Sequence, residues 1–473
     1  MEREDAMNGT NVLLVLLDDH AQWAAHCYGN SELRTPTLDY LADTGVKMEN
    51  AFTPTPVCSP GRAALLTGRI ASQHGIHDFL GGEYETRDGR PWLEDERTLA
   101  QILSDAGYVV GLSGKWHLGG SSEKQPGFDY WYQEAKYSPD RGHTALQRSA
   151  LAWPHPWPGA PDSSRDPGVH TITDYAIDFL RTRDRQRPFF LIAGYIATHS
   201  PWIGHPERLV SAYRRCTFRD VPPDAMYPYG RPALESRFPS RQRPFEALAQ
   251  YYAAVSVIDE QVGRLIDELD AQGCRSNTLV VYTSDHGLNM GHHGVWGKGN
   301  GTRPLNMLDE SIRIPLTFNH PDTIFGGQVR NEMVTHCDTF QTILDHIGVT
   351  ISDSERTARR YPGRSYRPLL IGDAVPEWTQ VVFGEYGSVR MVRTQRHKVI
   401  RHYPGPTYLF DLVADPRERE NLSDRPETQP LIADLTQMLE RFFADHEDER
   451  KSGLRVRDLP HHNGREAWRQ DDL

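Results

Sequence analysis

Cysteine is scarce in this chain of 473 residues, and the few cysteines form no recognisable pattern. The five lie far apart, at positions 27, 58, 216, 274 and 337. An odd count without any CxxC spacing gives neither a disulfide framework nor a zinc-ribbon pattern. The cysteine content fits a reducing compartment, and it leaves room for one or two bridges.

A signal peptide and long apolar runs are also missing. Residues 1–10 are polar and lack the basic-then-apolar order of a signal peptide. The apolar run at 12–17 is far too short to span a bilayer and is typical of a buried first strand. We therefore expect a cytoplasmic protein without a membrane partner. If a signal peptide has been removed from the sequence, a periplasmic or secreted protein is the alternative.

Positive charge is not in excess, because the formal net charge is −12 at pH 7. This balance disfavours a nucleic-acid partner. It does not exclude a small anionic substrate, since local charge sets the attraction to a site. Hydrophobic residues make up 38% and charged residues 25%, as in globular proteins. The length predicts one large domain and a smaller one.

Short apolar runs alternate with helical patterns along most of the chain. Strands are predicted at 11–17, 108–112, 189–193 and 278–283, and helices at 35–44, 98–105 and 245–269. This alternation is the signature of an α/β sheet wrapped by helices. Functional loops are expected at the carboxyl ends of such strands, where Asp19, His199 and Asp285 follow apolar runs.

The pattern changes after about Asp373. Four short strands are predicted at 381–385, 388–393, 397–402 and 408–412, followed by an amphipathic helix at 432–445. Strands in sequence and then one helix indicate a small antiparallel sheet with a packed helix. We divide the chain into a catalytic domain, residues 1–373, and a small C-terminal domain, residues 374–473. The polar end, 446–473, is expected to form a tail or an arm that contacts a partner.

Two segments without clear periodicity are candidates for shaping a substrate pocket. Residues 204–244 are rich in proline, arginine and tyrosine, and residues 130–158 are rich in aromatic side chains. A loop of that length is usually functional or mobile. A solvated surface excursion is the alternative interpretation of the arginine-rich segment.

One pentapeptide, Cys58-Ser59-Pro60-Gly61-Arg62, gains meaning from the motifs around it. It continues as AALLTGR to residue 69, follows a strand that ends in two aspartates, and precedes GKWHLG at 114–119 and SDHG at 284–287. That order resembles the type I sulfatases of the alkaline phosphatase superfamily, in which this cysteine is oxidised to Cα-formylglycine. The segment LFDLVADPRERENL at 409–422 resembles the C-terminal signature of the same family.

The resemblance implies a fold and a maturation step. The fold is an alkaline-phosphatase-like α/β domain, with a large mixed sheet flanked by helices, and a smaller C-terminal α/β domain. The maturation step is conversion of Cys58 to formylglycine by a formylglycine-generating enzyme. Gly61 stands where the converted sequence usually has serine, and this departure bears on the efficiency of conversion.

The chemistry of sulfate ester hydrolysis explains why an aldehyde is useful. A serine nucleophile would be left with a stable sulfate ester of its own. In a hydrated aldehyde, one geminal hydroxyl attacks sulfur, and the other expels sulfate when the carbonyl forms again. Formylglycine at Cys58 would supply such a nucleophile.

Adjacent carboxylates at the end of an apolar strand point to a cation. Asp18 and Asp19 are costly to place there together unless a cation neutralises them. The resemblance adds Asp285, His286 and the modified Cys58 to this metal site. Hard oxygen ligands favour Ca²⁺, with Mg²⁺ or another divalent ion as the alternative.

The resemblance also gives roles to the remaining polar residues of the motifs. Arg62 would hold the formylglycine hydrate by charge-assisted hydrogen bonds. Lys115 and Lys298 would contact sulfate oxygens as point charges. His117 would hydrogen-bond the formylglycine and help to return it to the aldehyde. His199 would lie beside the leaving-group oxygen, and either His199 or Lys298 is the general acid.

The expected function is that of a sulfuric ester hydrolase acting on a small-molecule or oligosaccharide sulfate ester, with release of inorganic sulfate. A sugar sulfate is preferred over an aryl sulfate, and cleavage of an N-linked sulfate stays open. One alternative is a formylglycine-dependent phosphonate monoester or phosphodiester hydrolase. Another is a catalytically inactive sulfated-glycan-binding protein, which the intact set of motifs disfavours. The sequence is also compatible with a homo-oligomer.

Overall fold

The computed structural model describes residues 9–87, 90–120, 123–133, 167–223, 225–233 and 244–469. Most of the aromatic segment at 130–158 lies outside the described residues. So do residues 1–8 and three arginines of the arginine-rich segment, at 237, 241 and 243.

The strands of the described residues are β1 (Asn11–Leu17), β2 (Val46–Phe52), β3 (Val109–Gly114), β4 (Tyr130–Gln133), β5 (Phe189–Tyr195), β6 (Arg231–Pro232), β7 (Thr278–Ser284), β8 (Asn289–Met290), β9 (Trp296–Gly297), β10 (Thr302–Arg303), β11 (Leu316–Asn319), β12 (Gln328–Thr335), β13 (Val381–Tyr386), β14 (Val389–Thr394), β15 (His397–His402) and β16 (Thr407–Asp411).

The helices are α1 (Pro36–Asp43), α2 (Cys58–Thr67), α3 (Ala71–His74), α4 (Leu99–Asp105), α5 (Pro167–Thr182), α6 (Glu207–Tyr213), α7 (Pro244–Ala271), α8 (Asp309–Ile312), α9 (His336–His346), α10 (Asp353–Arg359), α11 (Arg367–Leu370) and α12 (Gln429–His446). Among them, none combines the length and the apolar character that crossing a bilayer requires.

The large sheet has eight strands in the order β12-β2-β11-β7-β1-β5-β3-β4. Its centre is parallel, because β1 pairs in parallel with both β5 and β7, and β5 pairs in parallel with β3. Strand β11 runs antiparallel to both of its neighbours, which makes the sheet mixed. The central strands are buried along their whole length, as expected for parallel strands covered on both faces.

Alternate side chains of β1 enter two different hydrophobic clusters. Val12, Leu14 and Leu16 pack with residues of α2, α4 and α9 on one face of the sheet. Leu13, Val15 and Leu17 pack with residues of α1, α5 and α7 on the other face. Successive side chains of a strand point to opposite faces, so an unbroken apolar run needs cover on both sides. The two helical layers provide that cover and fix the position of the strand ends.

The C-terminal part forms a second, smaller sheet in which β13, β14, β15 and β16 pair antiparallel in sequence order. Helix α12 packs on it through Leu435, Leu439 and Phe443, which share a hydrophobic cluster with Val392 and Val399. The predicted fold class, a large mixed sheet flanked by helices with a small antiparallel sheet and a helix, is confirmed. The boundary at residue 373 stays a prediction.

Residues 447–469 differ from the expected free tail. They run back along the catalytic part of the chain, and the backbone N–H of Asp448 donates to the carbonyl of Ser72 at 2.9 Å. Six of their side chains are buried: Ser452, Val456, His462, Asn463, Glu466 and Trp468. Polar composition suggested exposure, but the side chains of Ser452, His462, Asn463 and Glu466 make hydrogen bonds inside the fold.

Candidate active site

Three motif segments meet at the carboxyl edge of the central strands. Asp18 follows β1, Lys115 follows β3, and Asp285 follows β7. The backbone N–H groups of these residues extend the sheet ladder: Asp18 donates to Tyr195, Lys115 to Gly194 and Asp285 to Leu17, at 2.9–3.0 Å. Because they continue the ladder, their side chains start from a rigid edge.

Two residues at this edge adopt backbone conformations that are uncommon for side chains other than glycine. The φ angle is 57° at Asp19 and 60° at His117. Such conformations persist only where the surrounding structure fixes them, and they cluster at functional sites. Tyr251 holds the backbone of Asp19 in place, because its hydroxyl donates to the Asp19 carbonyl at 2.9 Å.

Cys58 is the first residue of α2 and is buried, with 2% of its surface exposed. The sulfur therefore lies at the positive end of the helix dipole. Burial raises the pKa of the Cys58 thiol, but the neighbouring Lys115 and Lys298 ammonium groups outweigh it and hold that pKa well below its ordinary value. The same charges would attract the anionic head of a substrate.

The two lysines approach the cluster from separate loops. Lys298 Nζ lies 2.5 Å from Asp19 Oδ1 and 2.9 Å from Cys58 Sγ. Lys115 Nζ contacts Asp18 Oδ2. Burial lowers the pKa of Lys298, but Asp19 and Cys58 raise it further than burial lowers it, so the ammonium group stays charged.

Four predicted metal-site residues offer ligand atoms that lie within 4.8 Å of one another: Asp18, Asp19, Cys58 and His286. All four are buried. One carboxylate oxygen of this group, Asp18 Oδ1, has no hydrogen-bond partner among the described residues. Buried carboxylates without partners are costly, and oxygen donors suit Ca²⁺ or Mg²⁺. The residues present therefore fit a divalent cation.

Asp285, the fifth predicted ligand, lies beside this group. Its Oδ1 is 3.4 Å from His286 Nε2 and accepts from the Asp19 backbone N–H at 3.3 Å. Burial raises the pKa of Asp285 to about 7, against the lowering effect of His286 and Arg62.

Arg62 lies one turn along α2 from Cys58 and forms a buried ion pair. Its Nε donates to Asp285 Oδ2 at 2.9 Å, and Nη1 donates to the Lys115 carbonyl at 2.9 Å. Nη2 is buried and has no hydrogen-bond partner among the described residues. Only 1% of Arg62 is exposed, so it is not an ordinary surface arginine.

The two predicted catalytic histidines differ in their access to solvent. His117 Nε2 donates to the Leu80 carbonyl at 2.8 Å, and the His117 side chain helps to lower the pKa of the Cys58 thiol. His199 is 32% exposed at its side chain. Its Nδ1 donates to the Ser200 carbonyl at 2.6 Å, and its Nε2 lies 4.0 Å from Asp19 Oδ2. His199 is thus oriented with Nε2 toward the carboxylates.

The structure brings all the predicted site residues to this one edge, and it adds several that sequence reasoning missed. Ser59 donates to the His117 carbonyl, and Thr198 donates to the Asp18 carbonyl. Ser59 lies inside the pentapeptide of Cys58, and Thr198 directly precedes His199, so their position beside predicted site residues is the signal that could have found them. His336 donates to the Asp285 carbonyl at 3.1 Å, and nothing in the sequence marked it.

The described part of the arginine-rich segment pairs with acidic residues of the protein itself. Arg208 forms an ion pair with Glu260 of α7, and Arg214 pairs with Glu207 and Glu246. These pairs hold the segment against α7. A role of the remaining residues in a substrate pocket stays a prediction.

Comparison with known proteins places this geometry in a family. The family model "Sulfatase" matches residues 10–349, more than half of the chain. A second model, "N-sulphoglucosamine sulphohydrolase, C-terminal", matches residues 291–445.

Two curated relatives and one solved structure illustrate the similarity. An N-acetylglucosamine-6-O-sulfatase of Bacteroides thetaiotaomicron is 26% identical over 93% of this chain and 87% of its own. An ulvan-active sulfatase of Formosa agariphila is 29% identical over 96% of this chain and 84% of its own. The crystal structure of the phosphonate monoester hydrolase of Agrobacterium radiobacter superposes with a TM-score of 0.73, at 21% identity, over 93% of this chain and 96% of that one.

The structural neighbour shows the fold, and the match to the family model shows the family. The resemblance read from the motifs is confirmed: this chain belongs to the sulfatase family, a family of sulfuric ester hydrolases.

Proposed function

We propose that this enzyme hydrolyses a sulfate ester carried by a sugar, after Cys58 has been converted to formylglycine. The observation that carries the proposal is the 2.9 Å contact between Lys298 Nζ and Cys58 Sγ at the start of α2. The buried ammonium group of Lys298 thus lies beside the sulfur atom that conversion to formylglycine would replace. A sugar is favoured because the curated relatives include an N-acetylglucosamine-6-O-sulfatase.

One divalent cation, Ca²⁺ in our proposal, would be held by Asp18, Asp19, Asp285 and His286 together with residue 58. It would supply charge neutralisation for the carboxylates and polarise a sulfate oxygen. Oxygen atoms outnumber nitrogen in this ligand set, which favours a hard cation.

Formylglycine would supply a hydrated aldehyde as a nucleophile that can be regenerated. Arg62 is the donor available to hold it, since among the described residues its buried Nη2 has no hydrogen-bond partner, one helical turn from position 58. His117, which lies close enough to residue 58 to lower the pKa of its thiol, would accept a proton from it. Ionised groups that are held in place around a buried reaction centre stabilise the charge that develops in the transition state.

The anionic sulfate group would lie between the two lysines. Their Nζ atoms reach the cluster from separate loops, Lys115 at Asp18 and Lys298 at Asp19. Each ammonium group offers three donors. Lys115 uses one of them on Asp18, and Lys298 uses one on Asp19 and a second on Cys58. The remaining donors can bind sulfate oxygens.

We assign the general acid to His199. Its side chain is 32% exposed, whereas that of Lys298 is 10% exposed and in contact with both Asp19 and Cys58. The leaving group of a sugar sulfate remains attached to the bulk of the substrate, so it lies on the solvent side of the sulfur. His199 is the better placed of the two to protonate it.

Mass spectrometry of the peptide that contains residue 58, together with kinetics, tests the proposal. Protein made with a formylglycine-generating enzyme should carry the aldehyde at position 58. It should hydrolyse sulfated monosaccharides with a higher kcat/KM than matched phosphonate esters. The Cys58→Ser variant should lose activity, and the Cys216→Ser variant should keep it.

An unmodified Cys58 in active protein would refute the mechanism. A preference for phosphonate esters would favour the alternative hydrolase instead. Tight binding of sulfated sugars without turnover, in fully converted protein, would favour the inactive glycan-binding protein.

A further inference from the structure

Residues 447–469 lie outside both matched family models, which end at residues 349 and 445. This C-terminal segment packs against the 75–81 loop, which connects α3 to the rest of the catalytic part. Hydrogen bonds connect that loop in turn to two residues of the candidate active site, Ser59 and His117.

His462 and Asn463 hold the loop along most of its length. The backbone N–H of Gly81 donates to the His462 carbonyl at 3.0 Å. Asn463 Nδ2 donates to the Phe79 carbonyl at 2.8 Å. The backbone N–H of His77 donates to the His462 side chain at Nε2, at 2.9 Å. His462 is fully buried, and Asn463 is 3% exposed.

The tautomer of His462 follows from its partner on the other side of the ring. Nδ1 lies 2.7 Å from Glu466 Oε1, a buried carboxylate oxygen that accepts, so Nδ1 carries the proton. Nε2 is then the acceptor that the His77 N–H needs. The opposite tautomer would donate to the Gly75 carbonyl at 3.2 Å and would leave the His77 N–H unpaired.

The loop in turn forms a closed set of hydrogen bonds with the active site. The backbone N–H of Leu80 donates to Ser59 Oγ at 3.0 Å, and Ser59 Oγ donates to the His117 carbonyl at 2.7 Å. The His117 ring returns to the loop, because its Nε2 donates to the Leu80 carbonyl at 2.8 Å. Both the backbone and the ring of His117 are thus set by the loop.

His117 needs such support because its φ angle is 60°. A histidine keeps that conformation only when its surroundings fix it. Ser59 is also the neighbour of Cys58, so a shift of the loop would be felt at both residues.

We propose that His462 and Asn463 are positioning residues for His117 and Cys58, so that the C-terminal segment is a part of the active site. The proposal rests on the proposed function for its kinetic readout only. A displacement of a catalytic group by about 1 Å is enough to cost on the order of a hundredfold in rate. The loss should therefore appear in kcat, while KM is nearly unchanged, because neither residue contacts the substrate.

Four variants of the full-length, converted enzyme test it. His462→Ala and Asn463→Ala each remove one side-chain hydrogen bond to the loop, and His462→Ala also removes the hydrogen bond to Glu466. His462→Gln restores an acceptor for the His77 N–H and should therefore recover much of the kcat that His462→Ala loses. Arg465→Ala, an exposed residue of the same segment, is the control. Hydrogen exchange is followed in peptides covering 75–81 and 115–118, with the β1 and β7 peptides as internal references for global folding.

We expect His462→Ala and Asn463→Ala to raise hydrogen exchange in both peptides, 75–81 and 115–118. Both variants should also lower kcat about tenfold or more. Exchange in β1 and β7 should not change. His462→Gln should recover much of kcat, and Arg465→Ala should match the parent protein. Increased loop exchange with an unchanged kcat, or a rise in KM in place of a fall in kcat, would overturn the proposal.

The two proposals fail in different ways. If the parent protein hydrolyses no sulfate ester, the proposed function fails, and exchange at 115–118 still decides the positioning role. If the parent is active and exchange at 115–118 is the same in all four variants, the positioning role fails alone.

Discussion

Gly61 lies directly against the backbone of Asp285. A Cβ atom at position 61 would come within 2.4 Å of the Asp285 carbonyl oxygen, closer than van der Waals contact allows. His336 donates to that same oxygen at 3.1 Å. The missing side chain therefore lets the loop that carries Asp285 and His286 approach α2. The departure from the serine of the family pattern has a structural reason in this chain.

Replacing Gly61 by serine should destabilise the fold, because the obstructing atom belongs to the backbone and cannot rotate away. We expect Gly61→Ser to lower the free energy of unfolding by about 1–3 kcal/mol. Urea denaturation would measure it. Gly464→Ser is the matched control, since a Cβ there meets nothing within 4 Å. Equal losses in both variants would show that Gly61 is not a packing requirement.

Adding Ca²⁺ should stabilise the protein through the Asp18 and Asp19 cluster. Binding at a hundred times the dissociation constant adds about 2.7 kcal/mol to the free energy of unfolding. The Tm should therefore rise with Ca²⁺ and fall with a chelator. Asp18→Asn should lose most of this response, whereas Asp434→Asn, an exposed carboxylate on α12, should keep it. A response that survives in Asp18→Asn would place the cation elsewhere.

Asp259 of α7 lies away from the active site, and its titration should make the free energy of unfolding depend on pH. It accepts hydrogen bonds from the backbone N–H groups of Thr37 and Leu38 at the start of α1. Burial raises the pKa of Asp259 from 3.8 to about 7, against the lowering effect of these two donors. Between these values the folded state holds a proton that the unfolded state has released.

The contribution of Asp259 to the stability of the protein should therefore be highest below pH 4 and should fall as the pH rises toward 7. The slope is at most about 1.4 kcal/mol per pH unit. Urea midpoints measured from pH 4 to pH 7 should fall less steeply in Asp259→Asn than in the parent protein. Asp267→Asn, an exposed carboxylate of the same helix, should leave the slope unchanged. Parallel slopes in all three proteins would contradict the assignment.

Leaving groups of different basicity should separate the roles of His199 and Lys298. General-acid catalysis contributes about 10²–10⁴-fold when the leaving group is a poor one. We expect His199→Gln to lower kcat/KM by that amount on a sugar sulfate and much less on an activated aryl sulfate. Lys298→Gln should lower both to a similar degree, because it contacts sulfate oxygens common to the two substrates. The reverse pattern would make Lys298 the acid.

Much of the fold could be read from local patterns. The apolar run before Asp18 predicted β1 with its bounds as the structure has them, Asn11–Leu17. The run at 278–283 predicted β7 to within one residue. Period-two and helical patterns are local properties, so they survive without knowledge of the partners. The four small C-terminal strands were found for the same reason.

The candidate site was only partly accessible in this way. The i, i+4 spacing of Cys58 and Arg62 is fixed by the helix that contains them. The pairing of Arg62 with Asp285 is not local, because the two residues are 223 positions apart. The roles assigned to these residues from the resemblance stay predictions.

The sequence by itself determined the strand ends, the residue types at them and the order of the motifs, because each depends on a few neighbouring residues. The tertiary structure alone decided that Gly61 must lack a side chain and that His462 holds His77 across 385 positions of the chain. Contacts of that kind depend on how whole layers pack. No periodicity in the sequence encodes the distance between two backbones that meet only after folding.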